Sequence, residues 1–466
     1  MAKNKHCLIK AEKIPLSFSQ KRIWFLQNLY HDNVMYNVAK CFKINGPLDR
    51  EALQKTLQTL AFRHESLRTR LKMTREGEIF QFFDQELQNN IEYIDLRNLS
   101  PSDIEMQSKQ LLQNSVSKPF DIYHEQMLRV LWLRLAEELS ILLFVKYHLI
   151  TDYSSWRLFL KEFEEIYTAI TNHRAICLPP LKTTYGDFAK KEQHLIQNDH
   201  LERMHRYWKN FFEEHVVEEW IPDAASQKSG IIKTPSYESA RQSMPPEMFT
   251  KCKITAQNQK CTVFIVVLTS IALFVSYLYR TSKVLLCFAN ANRKLPGTEH
   301  LIGCFFTNTI ISINVPTERK IFELIDDVRK AVITAWQHQE IPFEIFAEKL
   351  GLECTKEQKP PYRIYISYRK SLNDREFNLP GAEVSPLDVS TGKNTHEDIV
   401  FNFWEKQSEN QTILDVEWQW RTDLFDKKTI ERSFAMWNAL LNEIAKEINV
   451  DVAILMKNAA AHLKNL

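Results

Sequence analysis

Hydrophobic residues along this chain recur with two periods, which predict strands alternating with helices. Two apolar runs at residues 127–135 and 139–148 are joined by a polar turn at 136–138, a pattern typical of paired strands. Apolar residues then recur at helical spacing after Ser155. They are Trp156, Phe159, Leu160, Phe163, Ile166 and Tyr167. This spacing predicts an amphipathic helix that packs one face against the strands.

The N-terminal part of the chain predicts two more helices. Ser17 and Gln20 have the spacing of a capping box ahead of an apolar run, so a helix should begin at Ser17. Residues 50–66 carry leucines at helical spacing and predict the second helix.

The second half of the chain has the same character. Predicted strands lie at residues 284–289, 310–315, 363–368, 399–404 and 412–420. A chain of 466 residues exceeds one ordinary core, and a polar stretch at 197–245 separates its halves. We therefore expect an α/β fold with mixed α+β sheets in two lobes. The N-terminal lobe is predicted at 1–195, and the C-terminal lobe at 196–466, including segments that cross over to the first.

Residues 261–279 form one long, nearly uncharged apolar segment between Lys260 and Arg280. Its hydropathy alone is marginal for a membrane span. We favour a helix buried inside the fold, because no other segment resembles it and ordinary polar sequence follows on both sides. No membrane association is expected.

Composition narrows the classes of function. Lys and Arg number 60 against 58 for Asp and Glu, so no strong field attracts nucleic acid or anionic lipid. The eight cysteines contain no CxxC pair, which favours reduced thiols in a cytoplasmic protein over disulfides or zinc. The start of the sequence shows no apolar secretory region. The nine glycines form no phosphate-binding loop and no nucleophile elbow.

The segment with candidate chemistry contains His148 and Asp152 in an HxxxD pattern. A histidine at the end of a strand can accept a proton from an amine or hydroxyl, and a carboxylate four residues later can orient the loop. The pattern alone is weak, since most such pairs are ordinary surface or core residues. Its weight depends on the rest of the chain.

Seven stretches of the chain, in the same order, resemble motifs of the condensation domains of nonribosomal peptide synthetases. They are residues 17–26 (SFSQKRIWFL), 63–69 (RHESLRT), 146–155 (KYHLITDYSS), 185–189 (YGDFA), 302–309 (IGCFFTNT), 338–344 (HQEIPFE) and 421–432 (RTDLFDKKTIER). The fifth stretch has one residue more than the family pattern. The resemblance covers nearly the whole length, and we expect a free-standing domain of this family.

The resemblance implies a fold of two chloramphenicol-acetyltransferase-like lobes in a V-shaped pseudo-dimer, with the active site where they meet. His148 is implied to be the catalytic base, Asp152 a structural aspartate, and Arg63 the salt-bridge partner of Asp152. Two tunnels are implied, each admitting the phosphopantetheine arm of a carrier protein. Residues implied to line them are Tyr147, Tyr153, Ser154, Ser155, Asn308 and Thr309.

The chain departs from the family pattern at three positions. Tyr147 replaces the first histidine of HHxxxDG, Tyr153 replaces its glycine, and Lys191 replaces a tryptophan. Glycine often marks a close approach, so a tyrosine at position 153 could narrow the substrate path.

Three functions follow as hypotheses. The first is an acyltransferase that forms an amide, or less readily an ester, from a carrier-bound acyl or aminoacyl thioester. The second is a module that keeps the fold and recruits partners to carrier-bound intermediates without turnover. The third is a CoA-dependent acyltransferase of the same fold. We expect a monomer without a permanent cofactor or metal, and donor and acceptor carrier proteins in trans, with a small amine as alternative acceptor.

Overall fold

The structure, a computed structural model, describes residues 13–29, 34–88, 91–196, 199–215, 237–346, 349–350, 361–370, 377–389, 397–408 and 411–463. The chain forms two compact units. Unit 1 comprises Met1–His200, Ala291–Phe306 and Arg375–Gly392, and unit 2 comprises Leu201–Asn290, Thr307–Asp374 and Lys393–Leu466. Two short segments from the second half of the chain therefore return to unit 1.

Unit 1 contains a five-stranded mixed sheet and a smaller three-stranded sheet. Its strands are β1 Ile14–Pro15, β2 Asn37–Asn45, β3 Thr69–Met73, β4 Ile79–Phe83, β5 Glu92–Asp95, β6 Leu128–Ala136, β7 Leu139–Tyr147 and β12 Glu383–Leu387. Its helices are α1 Phe18–Leu29, α2 Arg50–Arg63, α3 Pro101–Ser117, α4 Tyr153–Thr171 and α5 Tyr185–Leu195. The main sheet has five strands in the order β12-β2-β7-β6-β5, and a smaller sheet has the order β1-β4-β3.

Aromatic residues of α4 cover the centre of this sheet. Phe144 on β7 contacts Phe159 and Phe163 with ring centroids 5.4 Å apart in both pairs. All three side chains are fully buried. Because β7 lies in the middle of the sheet and α4 packs across it, the turn between β7 and α4 is held firmly at both ends.

Unit 2 contains a second mixed sheet. Its strands are β8 Tyr237–Ser243, β9 Lys283–Asn290, β10 Thr307–Asn314, β11 Ile364–Lys370, β13 Ile399–Ser408 and β14 Gln411–Arg421. Its helices are α6 Asp199–Glu214, which begins at the border of unit 1, α7 Pro246–Asn258, α8 Val263–Tyr279, α9 Ile321–Gln337, α10 Lys427–Lys446 and α11 Val452–Leu463. The strand order is β10-β9-β11-β13-β14-β8.

Both main sheets combine parallel and antiparallel pairs. In unit 1, β5 runs parallel to β6, whereas β2 and β6 run antiparallel to β7. In unit 2, β11 runs parallel to β9 and β13, and the other pairs are antiparallel. This arrangement confirms the predicted mixed α/β class.

Helix α8 is the long apolar segment of the sequence, and it is buried in the core of unit 2. Phe274 contacts Trp418 of β14 with centroids 5.3 Å apart, and Ser270 accepts a hydrogen bond from Trp437 of α10 at 3.0 Å. The preference for a buried helix is confirmed. In the described part of the chain, no single helix is long and apolar enough to cross a membrane, although α7 and α8 together pass by length and composition as a pair bent by 105°.

Six cysteines lie within the described residues, and none of these six forms a disulfide. Cys41, Cys252, Cys287 and Cys304 are buried, whereas Cys177 is exposed. Cys7 and Cys354 lie outside the described residues.

Candidate active site

The candidate base His148 lies directly after strand β7, where the chain turns toward α4. Residues His148–Ile150 form one turn of 3₁₀ helix. The backbone N–H of His148 donates to the carbonyl oxygen of Tyr36 at 2.8 Å, and Thr151 N–H donates to the carbonyl of His148 at 3.3 Å. The strand end and these bonds fix the backbone from which the imidazole projects.

The imidazole of His148 is half-buried between aromatic rings. Its centroid lies 4.5 Å from that of Phe306 and 6.5 Å from that of Tyr36. Burial lowers the pKa of His148 to about 4, with Arg22 adding to the effect and Asp152 opposing it. The ring is therefore neutral at pH 7, which is the form that can accept a proton.

Asp152 is the N-cap of α4, and its carboxylate is fully engaged. Oδ1 accepts from Ser155 N–H at 2.7 Å, and Oδ2 accepts from Phe305 N–H at 3.1 Å. The guanidinium of Arg293 donates to Oδ1 at 3.1 Å; Asp152 is buried, and the Arg293 side chain is 11% exposed. Asp152 thus ties the start of α4 to residues that lie about 150 positions later in the sequence.

The prediction that Arg63 forms a salt bridge with Asp152 is wrong. Arg63 stands at the end of α2 and donates to Glu162 of α4 through Nε at 3.0 Å and Nη2 at 3.2 Å. Its Nη2 also donates to the carbonyl oxygen of Pro179 at 2.6 Å. Glu162 lies ten residues after Asp152 on the same helix, so the guanidinium of Arg63 is committed elsewhere.

His64, next to Arg63, belongs to the same polar cluster. Its Nε2 lies 2.7 Å from Glu162 Oε2, and its Nδ1 accepts from Ile302 N–H at 3.3 Å. Burial lowers the pKa of His64. Although burial raises the pKa of Glu162, hydrogen bonds from His64 and Arg63 hold it below its usual value. The RHE stretch therefore anchors Ile302 rather than the HxxxD loop.

Residues 301–306, called here the 301–306 segment, pass beside the site and are fastened at nearly every residue. Ser155 Oγ donates to Gly303 O at 2.7 Å and accepts from Gly303 N–H at 3.0 Å. Tyr185 OH donates to Cys304 O at 2.6 Å. A Cβ on Gly303 would lie 2.2 Å from the Tyr185 ring, so only glycine fits there.

Tyr147 is a core residue. Its side chain is fully buried, and its hydroxyl donates to Gln27 Oε1 of α1 at 2.6 Å. Burial holds its pKa well above the usual value. The structure thus places Tyr147 inside unit 1, in contrast to the expectation that it lines a substrate tunnel.

The next residues of the motif differ in their exposure. Tyr153 and Ser154, the first two residues of α4, are half-buried. Ser155 is fully buried and bonded to Asp152 and Gly303. Of these three, only Tyr153 and Ser154 have surface that a substrate could touch.

Asn308 and Thr309 belong to unit 2, at the start of β10. The Asn308 side-chain amide donates to Glu344 Oε1 and to Tyr362 OH, both at 3.2 Å, and its Oδ1 has no hydrogen-bond partner among the described residues. Thr309 is buried, and its hydroxyl is likewise without a partner in the described part of the chain. Both residues are polar groups held inside unit 2.

Sequence reasoning missed Arg293. It follows strand β9 by three residues, in the stretch Asn290-Ala291-Asn292-Arg293. Its Nη1 donates to Leu301 O at 2.7 Å, and its guanidinium lies 4.1 Å from the Phe305 ring. The sequence does show a basic residue just after a buried strand, but no neighbouring residue indicates that it pairs with Asp152.

Within the described residues, no group of three or more histidine, cysteine, aspartate or glutamate side chains could hold a metal ion. The arrangement around His148 suits proton transfer or hydrogen bonding by one neutral imidazole. A substrate amine or hydroxyl beside this ring would find a proton acceptor on a fixed turn of backbone.

Comparison with known proteins identifies one family over nearly the whole chain. The family model described as Condensation domain matches residues 10–458. The chain is 26% identical over 434 residues to malpinin synthetase of Mortierella alpina, covering 92% of this chain and 5% of that protein. It is 26% identical over 462 residues to phosphinothricin tripeptide synthetase PhsC of Streptomyces viridochromogenes, covering 97% and 41%. The chain spans only 5% to 9% of the first five curated relatives it matches.

Solved structures share the fold. One is the X-domain in its complex with OxyB from teicoplanin biosynthesis, with a TM-score of 0.81, 18% identity and 96% of both chains covered. Another is the condensation domain from the monacolin K polyketide synthase MokA, with a TM-score of 0.79, 17% identity, and 95% and 99% covered. At these identities the likeness shows the fold alone.

Proposed function

The chain belongs to the condensation-domain family, and we propose that it catalyses amide formation between a carrier-bound acyl or aminoacyl thioester and an amine. The observation that carries the proposal is the neutral, half-buried imidazole of His148 on a rigid turn. The HxxxD loop that presents it is secured by Asp152, Arg293 and Ser155. An ester-forming reaction would use the same groups with a hydroxyl as the nucleophile.

The chemistry needs one proton acceptor. The amine nitrogen attacks the thioester carbonyl, the C–N bond forms, the C–S bond breaks, and the thiolate leaves. His148 accepts a hydrogen bond or the proton from the attacking nitrogen, and the proton ends on the thiolate. Because a group with a pKa of about 4 is a weak base, the imidazolium passes its proton readily to a thiolate, whose conjugate acid has a pKa of about 8.5.

The test compares donors side by side. The purified chain is incubated with one acyl group attached to a phosphopantetheinylated carrier protein or to CoA, and with a free amine. Amide product is measured by mass spectrometry against a reaction without the chain. We expect transfer from the carrier donor to be faster. Transfer from acyl-CoA alone would support the CoA-dependent alternative, and the proposal would be wrong.

A second candidate function is a binding module without turnover. It is favoured by Tyr147 and Tyr153, which replace a histidine and a glycine of the family motif. Tyr153 is half-buried and so keeps surface that a bound molecule could touch. This alternative requires that no amide forms from any donor in the assay above. It also requires that the loaded carrier binds the chain more tightly than the apo-carrier. Binding is measured by calorimetry with both carrier forms.

A further inference from the structure

The backbone at His148 and Thr151 lies close enough to the imidazole to raise its pKa by hydrogen bonding, but within the described part of the chain the buried Nδ1 makes no bond of good geometry. Many catalytic histidines are oriented by such a bond to a third group. The second side-chain torsion of histidine is broad and roughly two-fold, so the backbone alone does not fix the ring. Packing must therefore add to these weak backbone contacts in fixing the orientation of the imidazole.

Phe306 supplies the closest aromatic contact to the imidazole. The two rings are tilted by 45° with centroids 4.5 Å apart, whereas Tyr36 presents an edge at 6.5 Å. At 4.5 Å two rings are in van der Waals contact, so Phe306 covers part of the imidazole. Phe306 is itself half-buried and thus borders accessible space.

Phe306 is in turn held by α1. Ser19 Oγ donates to the carbonyl oxygen of Phe306 at 2.7 Å, and the guanidinium of Arg22 lies 4.5 Å from the centre of the Phe306 ring. The preceding residue, Phe305, is bonded through its N–H to Asp152. Backbone bonds and one cation–π contact thus fix the ring that touches His148.

We propose that Phe306 and Arg22 are positioning residues for His148: Phe306 sets the orientation of the imidazole, and Arg22 clamps Phe306 from α1. Their role in turnover rests on the proposed function, whereas the clamp itself does not. Arg22 also contributes to the charge around the base. Ionisable groups on the elements around the ring include Lys21 and Arg22 on α1, Tyr36 before β2, Lys146 and Tyr147 on β7, Asp152 and Tyr153 at the start of α4, Cys304 in the 301–306 segment and Arg293 bonded to that segment.

Two of these groups act on His148 in opposite directions. Besides burial, Arg22 lowers the pKa of His148, and Asp152 raises it. Removing the charge of Arg22 should therefore raise the pKa of His148. Removing the Phe306 ring should raise it as well, because the imidazole becomes better solvated.

The test is an NMR titration of His148 in the full chain with labelled histidine, assigned by the loss of its signal in His148→Ala. We expect the pKa of His148 to rise in Arg22→Gln and to move toward its ordinary value of about 6.5 in Phe306→Ala. Arg22→Lys, which keeps the charge, should retain the wild-type titration. Phe306→Leu keeps most of the apolar volume but not the ring, so the pKa of His148 should move less in this variant, which serves for kinetics if the alanine variant does not fold.

Kinetics add a second readout. Phe306→Ala and Phe306→Leu should lower kcat by about 10- to 100-fold with little change in KM, because misplacement of a reacting group affects the transition state most. Phe306→Tyr, which keeps the ring, should recover most of the rate. Unchanged titration of His148 in folded Arg22→Gln, together with an unchanged kcat in folded Phe306→Leu, would overturn the clamp. Shifted titrations together with no amide formation by the wild type would leave the clamp standing and overturn the proposed function.

Discussion

Lys146 is a lysine in the core of unit 1 with no acidic hydrogen-bond partner among the described residues. Lys146 is fully buried on β7, and its Nζ donates a hydrogen bond to no described residue. The Nζ lies 3.5 Å from the centre of the Trp156 ring and 3.9 Å from that of Phe159. Burial lowers its pKa well below the usual value, and Asp152 opposes this shift. The amine therefore costs stability whenever it must carry a proton.

We predict that Lys146→Met raises the free energy of unfolding at pH 7 by roughly 1–3 kcal/mol, the cost typical of an unsatisfied buried polar group. Because the folded state releases the lysine proton at lower pH than the unfolded chain, wild-type stability should rise with pH up to about 10.4. This slope should shrink in the variant. Urea unfolding at pH 7 and at about pH 9.5 measures both effects.

Lys72→Met is a matched control, since Lys72 lies 4.5 Å from the Phe82 ring but is exposed. Its stability should change by less than about 0.5 kcal/mol at either pH. A Lys146→Met protein less stable than the wild type at pH 7 would show that the two aromatic rings stabilise a charged ammonium.

Asp152 and Arg293 form the ion pair that secures the HxxxD loop. The carboxylate accepts from the guanidinium at 3.1 Å in a buried setting, and two backbone N–H groups share it. Removing one partner of such a pair leaves the other charge buried and uncompensated. The pair is therefore a residue-level requirement for folding rather than for proton transfer.

We predict that Asp152→Asn and Arg293→Met each destabilise the protein by about 3–5 kcal/mol. A double-mutant cycle should give a coupling energy of about 1–3 kcal/mol between these two positions. The same cycle between Asp152 and Arg63 should give nearly none, because Arg63 is bonded to Glu162. A larger coupling with Arg63 than with Arg293 would contradict the pairing observed here.

At the scale of elements, the 301–306 segment joins the start of α4 to α1 and α5. Ser155 makes two hydrogen bonds with Gly303, and Ser19 and Tyr185 fasten the flanking carbonyl groups of Phe306 and Cys304. These contacts are all hydrogen bonds. Polar groups of these three helices therefore hold the segment together with His64 and Arg293, which bond Ile302 and Leu301.

We predict that Ser155→Ala destabilises the protein by about 1–3 kcal/mol, because it removes the hydroxyl that pairs with the buried N–H and carbonyl groups of Gly303. Amide hydrogen exchange in the 301–306 segment should speed up in parallel. Ser154→Ala is the control, since the neighbouring Ser154 is half-buried and its hydroxyl bonds no described residue. Equal exchange in both variants would contradict the role given to Ser155.

Local patterns predicted several elements well. The capping box is confirmed: Ser17 N–H donates to Gln20 Oε1 at 2.9 Å, Gln20 N–H donates to Ser17 Oγ at 3.1 Å, and α1 begins at Phe18. The helix expected from Ser155 begins two residues earlier, because Asp152 caps it. Strand β2 was not predicted, since its lysines at positions 40 and 43 break the apolar pattern.

At the scale of the whole molecule, the order of the motifs predicted the family. The spacing of hydrophobic residues predicted strands alternating with helices, and hence the mixed sheets. What the sequence could not supply was the pairing of distant residues. Asp152 and Arg293 are 141 positions apart, and the motif context favoured another candidate, Arg63. The contact of Phe306 with His148 is equally remote in sequence, and the extra residue in that stretch obscured its register.

The central claim is that His148 is the proton acceptor in thioester aminolysis. The most direct measurement is the single-turnover rate of amide formation from an acyl-carrier donor, for the wild type and His148→Ala, with melting temperatures measured in parallel. We predict a rate lower by about 10²-fold or more in the variant. Its melting temperature should fall only slightly, since the half-buried ring packs on Phe306 but its Nδ1 makes no hydrogen bond of good geometry to a described residue. A folded His148→Ala protein that forms the amide at the wild-type rate would contradict the account.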